Sequence, residues 1–445
     1  MFASFSLTQY RILTRLISPL VWLWDTHRAW RQPIYRANRS ERWARQLPAP
    51  LSDSIIWVHA VSVGETQACA PLLQAILAQY PSHTVLLTHM TPTGRDTGAA
   101  LFADDIAALK VQQCYLPYDI DSLAKRFLAH FKPVAGIILE TEIWPNWVAA
   151  ARAAGIPLGL ANGRLSDKTL TKSLRFKRLS QETFNAFNWI AAQSAADASR
   201  YQQLCDKAIT VTGNLKFDVT PNAEQMAAGR AFKESLKEGL KEGQNIDLKR
   251  PVIALVSTRE GEEALLLPQL LPIAQAHNAL ILLIPRHPKR AAELIELTKT
   301  LSLRTVQRSL GETPDANTQL MLCDTLGEMW WMLGAADVVI VGGGWLPYGG
   351  QNLIEPCAVG CATVVGSHMY NFAHATELAV AAGAVVQCAT ANDLPEALNH
   401  LMNKPAHKDL GARALAFASA HGGATQSHMT LLGQSIKLTQ AHQAP

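Results

Sequence analysis

The feature that most constrains the fold is a regular alternation of short apolar runs with longer segments of helical periodicity, which begins at residue 55. Strand, helix and strand at this spacing are typical of a parallel sheet that is covered by helices on both faces. In the first half of the chain the predicted strands are residues 55–63, 85–88, 134–139, 157–161, 190–193 and 209–212.

A polar, helix-forming stretch at residues 218–250 interrupts the alternation, which then resumes. The pattern predicts an α/β protein of two doubly wound, Rossmann-like domains, residues 31–218 and 251–425, with a linker over 219–250 and a C-terminal tail over 426–445. Ligands of such sheets bind outside the carboxyl ends of the strands, so we expect the site in a cleft where the two domains face each other. The predicted strands of the second domain are residues 252–257, 279–284, 303–306, 319–323, 338–341, 363–365 and 385–388.

Composition narrows the class of protein. Hydrophobic residues make up 48% of the 445 residues and charged residues 17%, which excludes a generally disordered chain. The net charge of +4, without a dense basic run, gives no indication of a nucleic-acid partner. The seven cysteines are scattered, with neither a CxxC pair nor a zinc spacing, as is typical of a reducing compartment.

The N-terminal segment is apolar and aromatic over residues 7–24, but Arg11 and Arg15 interrupt it. A membrane-spanning helix needs about 20 mostly apolar residues, and a signal peptide needs an uninterrupted apolar run and a cleavage site. The segment fits neither. We therefore predict that residues 1–30 form a helix that lies in the membrane interface, with the arginines that follow it near the lipid headgroups. An ordinary helix docked on the protein is the alternative.

Two short motifs follow predicted strands in the first half. In residues 59–66, Gly64 allows a tight turn and Glu65 lies at a helix start, where a carboxylate is a candidate general base. The alternative is a Glu65 that only stabilises the helix N-terminus, and this motif taken alone favours that alternative. In residues 91–95, the turn and Arg95 predict an anion site, and a plain turn with a capping threonine fits equally well.

Two further candidates lie nearer the middle of the chain. Residues 140–147 place two carboxylates, including Glu142, and two indoles at the carboxyl end of a strand. That combination is typical of a sugar-binding surface, or of indoles packed in the core beside a helix that a proline opens. Lys216, in residues 213–218, lies at the joint between the halves, where it can reach a ligand or act only as a hinge residue.

The second half carries the motif with the strongest signal. Residues 257–263 fit either a phosphate-binding loop or a capping box at a helix start. Residues 285–290 are basic and fit either a clamp for an anionic ligand or a solvated loop. Glycine-rich turns at 342–344 and 349–350 let the backbone approach a ligand closely. Glu355, one turn into the next helix, is placed to accept hydrogen bonds from ribose hydroxyls. The motif is neither GxGxxG nor a P-loop, which argues against a dehydrogenase and a P-loop NTPase.

Taken in order, these strings resemble the 3-deoxy-D-manno-octulosonic acid (Kdo) transferases, which are glycosyltransferases of the GT-B architecture. The resemblance runs from about residue 15 to 425 and is carried by WVHAVSVGET, TPTGR, YLPYD, ETEIWPNW, NGRLS, GNLKFD, IPRHP, DTLGEMWWMLGAADVVIVGG and GGQNLIEP. It implies transfer of Kdo from CMP-Kdo to lipid IVA, a lipopolysaccharide precursor, at the cytoplasmic face of the inner membrane. We expect an inverting reaction that needs neither a metal nor a cofactor.

The resemblance also implies roles for individual residues. Glu65 matches the family's catalytic base, which outweighs the capping alternative. The expected donor and nucleotide side comprises Lys216, Arg286, His287, Glu328, Gly343, Asn352 and Glu355. The expected acceptor side comprises Ser62, Gly64, Thr93, Arg95 and Glu142.

The chain departs from the family's usual strings at four places. Residues 39–43 keep the family's Arg-Trp-Gly-Glu-Arg segment only loosely. Gly344 stands where a serine is usual, Gln351 where a histidine is usual, and Lys289 where a glutamate is usual. Two other functions remain open. One is another GT-B enzyme that uses a UDP-sugar, and the other is a non-catalytic membrane-surface binding protein, which would not need Glu65.

Overall fold

The computed structural model describes residues 4–141, 143–236 and 250–443. It divides into two compact units. Unit 1 comprises Met1–Asp218 and Gly422–Pro445, and unit 2 comprises Val219–His421. The C-terminal segment of the chain thus belongs to the same unit as the N-terminal half.

Unit 1 is built on one parallel sheet of seven strands in the order β3-β2-β1-β4-β5-β6-β7. All five residues of β1 (Ile55–His59), an inner strand of the sheet, are buried, because helices cover both faces of the sheet. The strands are β1 (Ile55–His59), β2 (Thr84–His89), β3 (Val111–Tyr115), β4 (Ala135–Leu139), β5 (Leu158–Gly163), β6 (Trp189–Ala192) and β7 (Thr210–Val211). The helices of its N-terminal part are α1 (Leu7–Arg31), α2 (Val63–Ala68), α3 (Ala70–Gln79), α4 (Pro92–Leu101), α5 (Ala103–Ala107), α6 (Asp121–Phe131), α7 (Pro145–Ala153), α8 (Asp167–Arg175), α9 (Lys177–Phe184) and α10 (Ala195–Gln202).

Unit 2 has a second parallel sheet of seven strands, in the order β10-β11-β9-β8-β12-β13-β14. Its strands are β8 (Val252–Thr258), β9 (Leu280–Pro285), β10 (Thr305–Gln307), β11 (Leu320–Leu322), β12 (Val338–Val341), β13 (Ala362–Val365) and β14 (Val385–Gln387). Its helices are α11 (Ala223–Ser235), α12 (Glu262–Ala276), α13 (Ala291–Thr300), α14 (Met329–Ala335), α15 (Ile354–Ala358), α16 (Ala373–Ala381), α17 (Leu394–Leu401) and α18 (Lys404–His421). The last helix of the chain, α19 (Ala424–Gln443), belongs to unit 1.

Both sheets have a topological switch point beside their first strand. In unit 1, β1 pairs with β2 on one side and with β4 on the other. In unit 2, β8 pairs with β9 on one side and with β12 on the other. Loops that leave neighbouring strands at such a point diverge to opposite faces of the sheet and leave a crevice at its carboxyl edge.

The segment predicted as a linker differs from the structure over its first half. Helix α11 packs closely against α14, where a Cβ on Gly229 would lie 2.0 Å from the Trp331 carbonyl oxygen. The Phe232 and Trp331 rings lie 4.7 Å apart. A mostly polar helix therefore belongs to unit 2, where Lys233 also forms an ion pair with Asp337. Residues 237–249 of the predicted linker lie outside the described residues.

The segment predicted as a tail also differs from the structure. Helix α19 buries Met429, Leu432 and Ile436 in the core of unit 1. These side chains repeat at helical spacing, so one face of the helix covers the sheet. The same spacing is visible in the sequence, so the prediction of a tail over residues 426–445 was wrong.

Helix α1 is docked on unit 1 by polar contacts along one side. The Tyr10 hydroxyl donates to Asp119 Oδ2 at 2.8 Å, and the buried Asp25 accepts from the Tyr118 hydroxyl at 2.6 Å. Among the described residues, no helix is both long and apolar enough to cross a membrane. The large apolar side chains of α1 that remain exposed are Ile12, Leu13, Leu16, Ile17, Leu20, Trp22, Leu23, Trp24 and Trp30. Contact of this face with a membrane stays a prediction.

Candidate functional site

In unit 1 the candidate residues gather at the carboxyl ends of β1 and β4, on either side of the switch point. The chain leaves β1 at His59 and enters α2, with Ser62 as the N-cap residue and Glu65 in the first turn. It leaves β4 at Leu139 and turns at Glu140. Because β1 and β4 are hydrogen-bonded neighbours, these loops lie at one edge of the sheet.

Glu65 closes a capping box at the start of α2. Its Oε2 accepts from the Ser62 N–H at 2.9 Å and from the Ser62 hydroxyl at 3.4 Å. The carboxylate is buried and fixed at the sheet edge. Glu65 therefore does cap the helix, which was the alternative to a catalytic role. Its role as a base stays a prediction, which this geometry permits.

Gly64 does not serve the tight turn that its position suggested. It lies inside the first turn of α2 without a positive φ, and no atom lies within 4 Å of a Cβ built on it. Nothing in the fold requires a glycine there. The position that a Cβ of residue 64 would occupy is open space.

The loop after β2 joins the same edge. Thr91 caps α4 by accepting from the Gly94 N–H at 3.1 Å, and its own N–H donates to the Val61 carbonyl at 3.2 Å. Thr93 is exposed on the first turn of α4. Arg95 donates to Glu41 Oε2 at 2.7 Å, an ion pair that the sequence did not reveal. The predicted anion site at Arg95 is thus partly neutralised by a carboxylate 54 residues earlier.

Lys216 and Glu140 form a pair that sequence spacing did not predict. Lys216 Nζ lies 3.4 Å from Glu140 Oε1, with both side chains largely buried. Glu140 adopts φ 55°, a left-handed conformation that is costly for a residue with a side chain. Lys216 therefore lies at the carboxyl edge of the unit 1 sheet. Glu142, the candidate carboxylate of residues 140–147, lies outside the described residues.

In unit 2 a buried carboxylate organises the corresponding edge. Glu262, fully buried at the start of α12, accepts from the Gly343 N–H at 2.6 Å and from the Trp345 N–H at 2.9 Å. It also accepts from the Arg259 N–H at 2.8 Å. The N–H of Gly343, a residue that we expected on the nucleotide side, is therefore occupied within the protein. Backbone N–H groups so close to a buried carboxylate do not remain free for a second anion.

The two glycine-rich turns of unit 2 form one structure. The Gly350 N–H donates to the Gly343 carbonyl at 2.6 Å, and Gly343 and Gly350 have φ of 73° and 81°. A Cβ on Gly344, the position where a serine is usual, would lie 2.7 Å from the Met369 sulfur. A side chain at this position would therefore require the Met369 side chain to move.

The basic loop after β9 lies near the second glycine-rich turn. The positive charge of Arg286 acts to lower the pKa of Glu355, but burial outweighs it and raises that pKa above its usual value. The Asn352 side chain also hydrogen-bonds to Glu355. Burial and the nearby cations Arg286 and Arg259 lower the pKa of His287. The structure thus brings Arg286, Asn352 and Glu355 together, and this group can bind an anion beside a hydrogen-bonding carboxylate.

Glu328 is held in an ion pair that the sequence did not suggest. Arg308 donates to both of its carboxylate oxygens, at 2.7 and 2.6 Å, and the Thr325 hydroxyl also donates to it. This pairing lowers the pKa of Glu328. The Arg308 guanidinium also lies 3.7 Å from the centre of the Trp331 ring. Any ligand contact by Glu328 must share the carboxylate with Arg308.

Within the described ranges, no group of three or more His, Cys, Asp or Glu side chains could hold a metal ion. All seven cysteines are buried and free of disulfides.

Two parallel sheets with these switch points define a GT-B-like fold, the architecture of a large class of glycosyltransferases. The structure is similar to MurG from Acinetobacter baumannii, with a TM-score of 0.51 and 17% identity over 87% of this chain and 99% of that one. It is also similar to the UDP-GlcNAc 2-epimerase from Neisseria meningitidis, with a TM-score of 0.55 and 14% identity over 86% of this chain and 100% of that one. These likenesses confirm the predicted fold class.

Sequence similarity then specifies the family. Residues 30–219 match the family model described as 3-Deoxy-D-manno-octulosonic-acid transferase (kdotransferase). The chain is 40% identical over 434 residues to the 3-deoxy-D-manno-octulosonic acid transferase of Bordetella pertussis, covering 95% of this chain and 98% of that protein. The chain belongs to the Kdo transferase family, and it is a glycosyltransferase of lipopolysaccharide synthesis.

Proposed function

We propose that this protein transfers Kdo from CMP-Kdo to lipid IVA, with inversion at the anomeric carbon and without a metal ion. Glu65 is the general base. The observation that carries this assignment is the position of the Glu65 carboxylate, buried and fixed beside the switch point of unit 1 with open space next to Gly64. An acceptor hydroxyl that enters this space meets a preorganised carboxylate.

The chemical step needs one base and a stabilised leaving group. The acceptor hydroxyl oxygen attacks the anomeric carbon of Kdo while its proton passes to a Glu65 carboxylate oxygen. The bond from that carbon to the phosphate oxygen breaks, and CMP leaves with the electron pair. The weak contact of the Ser62 hydroxyl, 3.4 Å from Glu65 Oε2, can be exchanged for the incoming hydroxyl without loss of the backbone hydrogen bond.

Positively charged side chains stabilise the departing charge. Arg286 and His287 follow β9 in unit 2, and Glu355 with Asn352 supplies hydrogen bonds for ribose hydroxyls. Lys216 adds a positive charge at the edge of the unit 1 sheet. Preorganised charges of this kind stabilise the charge that develops in a transition state.

The acceptor is a lipid, so the enzyme must work at a membrane surface. The exposed apolar face of α1 and the arginines that follow it support binding at the cytoplasmic face of the inner membrane. In this arrangement α1 keeps its polar contacts with unit 1 and turns its apolar side chains to the lipid.

The test is an assay of CMP release from CMP-Kdo in the presence of lipid IVA, followed by mass spectrometry of the lipid. Release of CMP with a mass gain of one or more Kdo units supports the proposal, and undiminished release in excess EDTA supports metal independence. The anomeric configuration of the product, read by NMR, decides whether the reaction inverts. Turnover of a UDP-sugar in place of CMP-Kdo, or no turnover by folded protein, contradicts the proposal.

A further inference from the structure

The C-terminal helix α19 carries a fully buried histidine, His428, on the face that covers the unit 1 sheet. Its ring Nδ1 lies 2.7 Å from the Ala424 carbonyl oxygen, one turn earlier on the same helix. The Asn162 N–H donates to its Nε2 at 2.9 Å. These partners require a neutral ring that is protonated on Nδ1. Burial lowers the pKa of His428 and so favours that neutral form.

The backbone that His428 holds is strained. Asn162, at the end of β5, is buried with φ 52°, and Glu140, at the end of β4, has φ 55°. The two loops are joined because the Glu140 N–H donates to the Ala161 carbonyl at 2.9 Å. Such conformations persist only where surrounding contacts enforce them, and they cluster at functional sites.

Asn162 also contacts the segment that carries Lys216. Its side-chain Oδ1 accepts from the Leu215 N–H at 3.0 Å, and Lys216 is the next residue. Lys216 Nζ in turn reaches Glu140 Oε1 at 3.4 Å. The Asn162 backbone N–H and side chain thus connect His428 on α19 with both members of the Lys216–Glu140 pair.

A second contact ties the same segment to α19. The Asp218 carboxylate accepts from the Gly423 N–H at 2.6 Å and from the Thr425 N–H. These N–H groups belong to the start of α19, where a carboxylate compensates unpaired donors. The segment around Lys216 is therefore fixed to α19 on both sides, by Asn162 and His428 before it and by Asp218 after it.

We propose that His428 is a positioning residue for the reaction: from the C-terminal helix it fixes the Asn162 loop and thereby places Lys216 and Glu140. The inference rests on the proposed function, in which Lys216 acts on the departing phosphate. His428 itself touches no substrate. Its contribution is the geometry of a pair whose members are separated from it by more than 200 residues of sequence.

The test compares three variants of the full-length protein. His428→Leu removes the acceptor for the Asn162 N–H, and His428→Gln keeps an acceptor oxygen in a side chain of similar length. Ser435→Ala is the matched control, because Ser435 is buried on the same helix and accepts from the Trp189 indole N–H at 2.9 Å. The measurements are kcat and KM for CMP-Kdo, the Tm, and hydrogen exchange of residues 211–218.

We expect His428→Leu to lower kcat by about 10- to 100-fold, as small misplacements of site groups do. His428→Gln should recover most of that loss, and Ser435→Ala should lower the Tm while kcat stays within about twofold. Amides of residues 211–218 should exchange faster in His428→Leu only. Equal loss of kcat in His428→Leu and Ser435→Ala, or no rescue by glutamine, overturns the inference.

The exchange measurement separates this inference from the proposed function. If the wild-type protein does not turn over CMP-Kdo, the proposed function fails on its own. Unchanged protection of residues 211–218 in His428→Leu then overturns the positioning role, and selective loss of protection supports it.

Discussion

Lys216 Nζ lies 3.4 Å from Glu140 Oε1 at the carboxyl edge of the unit 1 sheet. Lys216 lies near the end of the Met1–Asp218 part of unit 1, and Glu140 directly follows β4, a strand beside the switch point. The carboxylate holds the Lys216 side chain at this edge of the sheet.

Replacement of Lys216 by alanine tests whether this charge acts on the leaving group. We expect Lys216→Ala to lower kcat by about 10²-fold, because a preorganised donor to developing charge is removed. Lys125→Ala is the control, since Lys125 forms an exposed ion pair with Asp121 within α6 and such pairs contribute little. Steady-state CMP release measures both variants. Equal kcat values for the two variants would show that Lys216 has no such role.

Glu262 is expected to be essential for the glycine-rich turns of unit 2. Glu262→Ala leaves the Gly343, Trp345 and Arg259 N–H groups without their buried acceptor, so we expect a loss of at least about 3 kcal/mol in stability. Urea unfolding measures it. Glu296→Ala, which removes an exposed carboxylate paired with Lys299, should change stability by less than about 0.5 kcal/mol. A Glu262→Ala protein as stable as this control would show that Glu262 is not needed to stabilise the glycine-rich turns.

Asp119 gives the stability a specific pH dependence. Burial outweighs its hydrogen bonds and raises its pKa from 3.8 to about 6. The folded state therefore binds this proton more tightly than the unfolded state. The contribution of protonated Asp119 to the free energy of unfolding is full below pH 4 and is lost as the pH rises through about 6.

Asp119→Asn, which stays uncharged, isolates this effect. The Tm of the wild type relative to Asp119→Asn should fall between pH 4 and pH 7. Thermal unfolding of both proteins across this range gives the difference directly, because other titrating groups cancel. A difference that stays constant or rises with pH would mean that Asp119 is ionised throughout.

The apolar face of α1 is expected to bind lipid. Leu16 and Leu20 are 71% and 64% exposed, so Leu16→Glu with Leu20→Glu should leave the Tm unchanged and abolish sedimentation with anionic vesicles. Leu310→Glu is the matched control, at 67% exposure in unit 2. Sedimentation of the double variant at wild-type levels would refute this role for α1.

Local sequence patterns predicted most of the strands. The apolar runs indicated all seven strands of unit 2 and every strand of unit 1 except β3 (Val111–Tyr115). That strand lies at the sheet edge and carries Gln112 and Gln113, so it has no continuous apolar run. Strands buried on both faces require apolar residues throughout, which is why they are visible in a single sequence.

The site was predictable only where its partners are close in sequence. The capping of Ser62 by Glu65 follows from a spacing of three residues. The pairing of Arg95 with Glu41, of Glu328 with Arg308 and of Lys216 with Glu140 depends on long-range folding, and no periodicity encodes it. The contact between His428 and Asn162 could not be predicted from the sequence for the same reason.

The most direct test of the account is the rate of CMP release from CMP-Kdo and lipid IVA by Glu65→Gln. Glutamine keeps the capping box but cannot accept the proton, so the Tm should stay near the wild-type value while kcat falls by about 10²–10⁴-fold. Asp393→Asn, which alters the equivalent capping box at Thr390 in unit 2, should keep the wild-type kcat. Near-normal turnover by folded Glu65→Gln would contradict the central claim, because Glu65 would then only cap the helix.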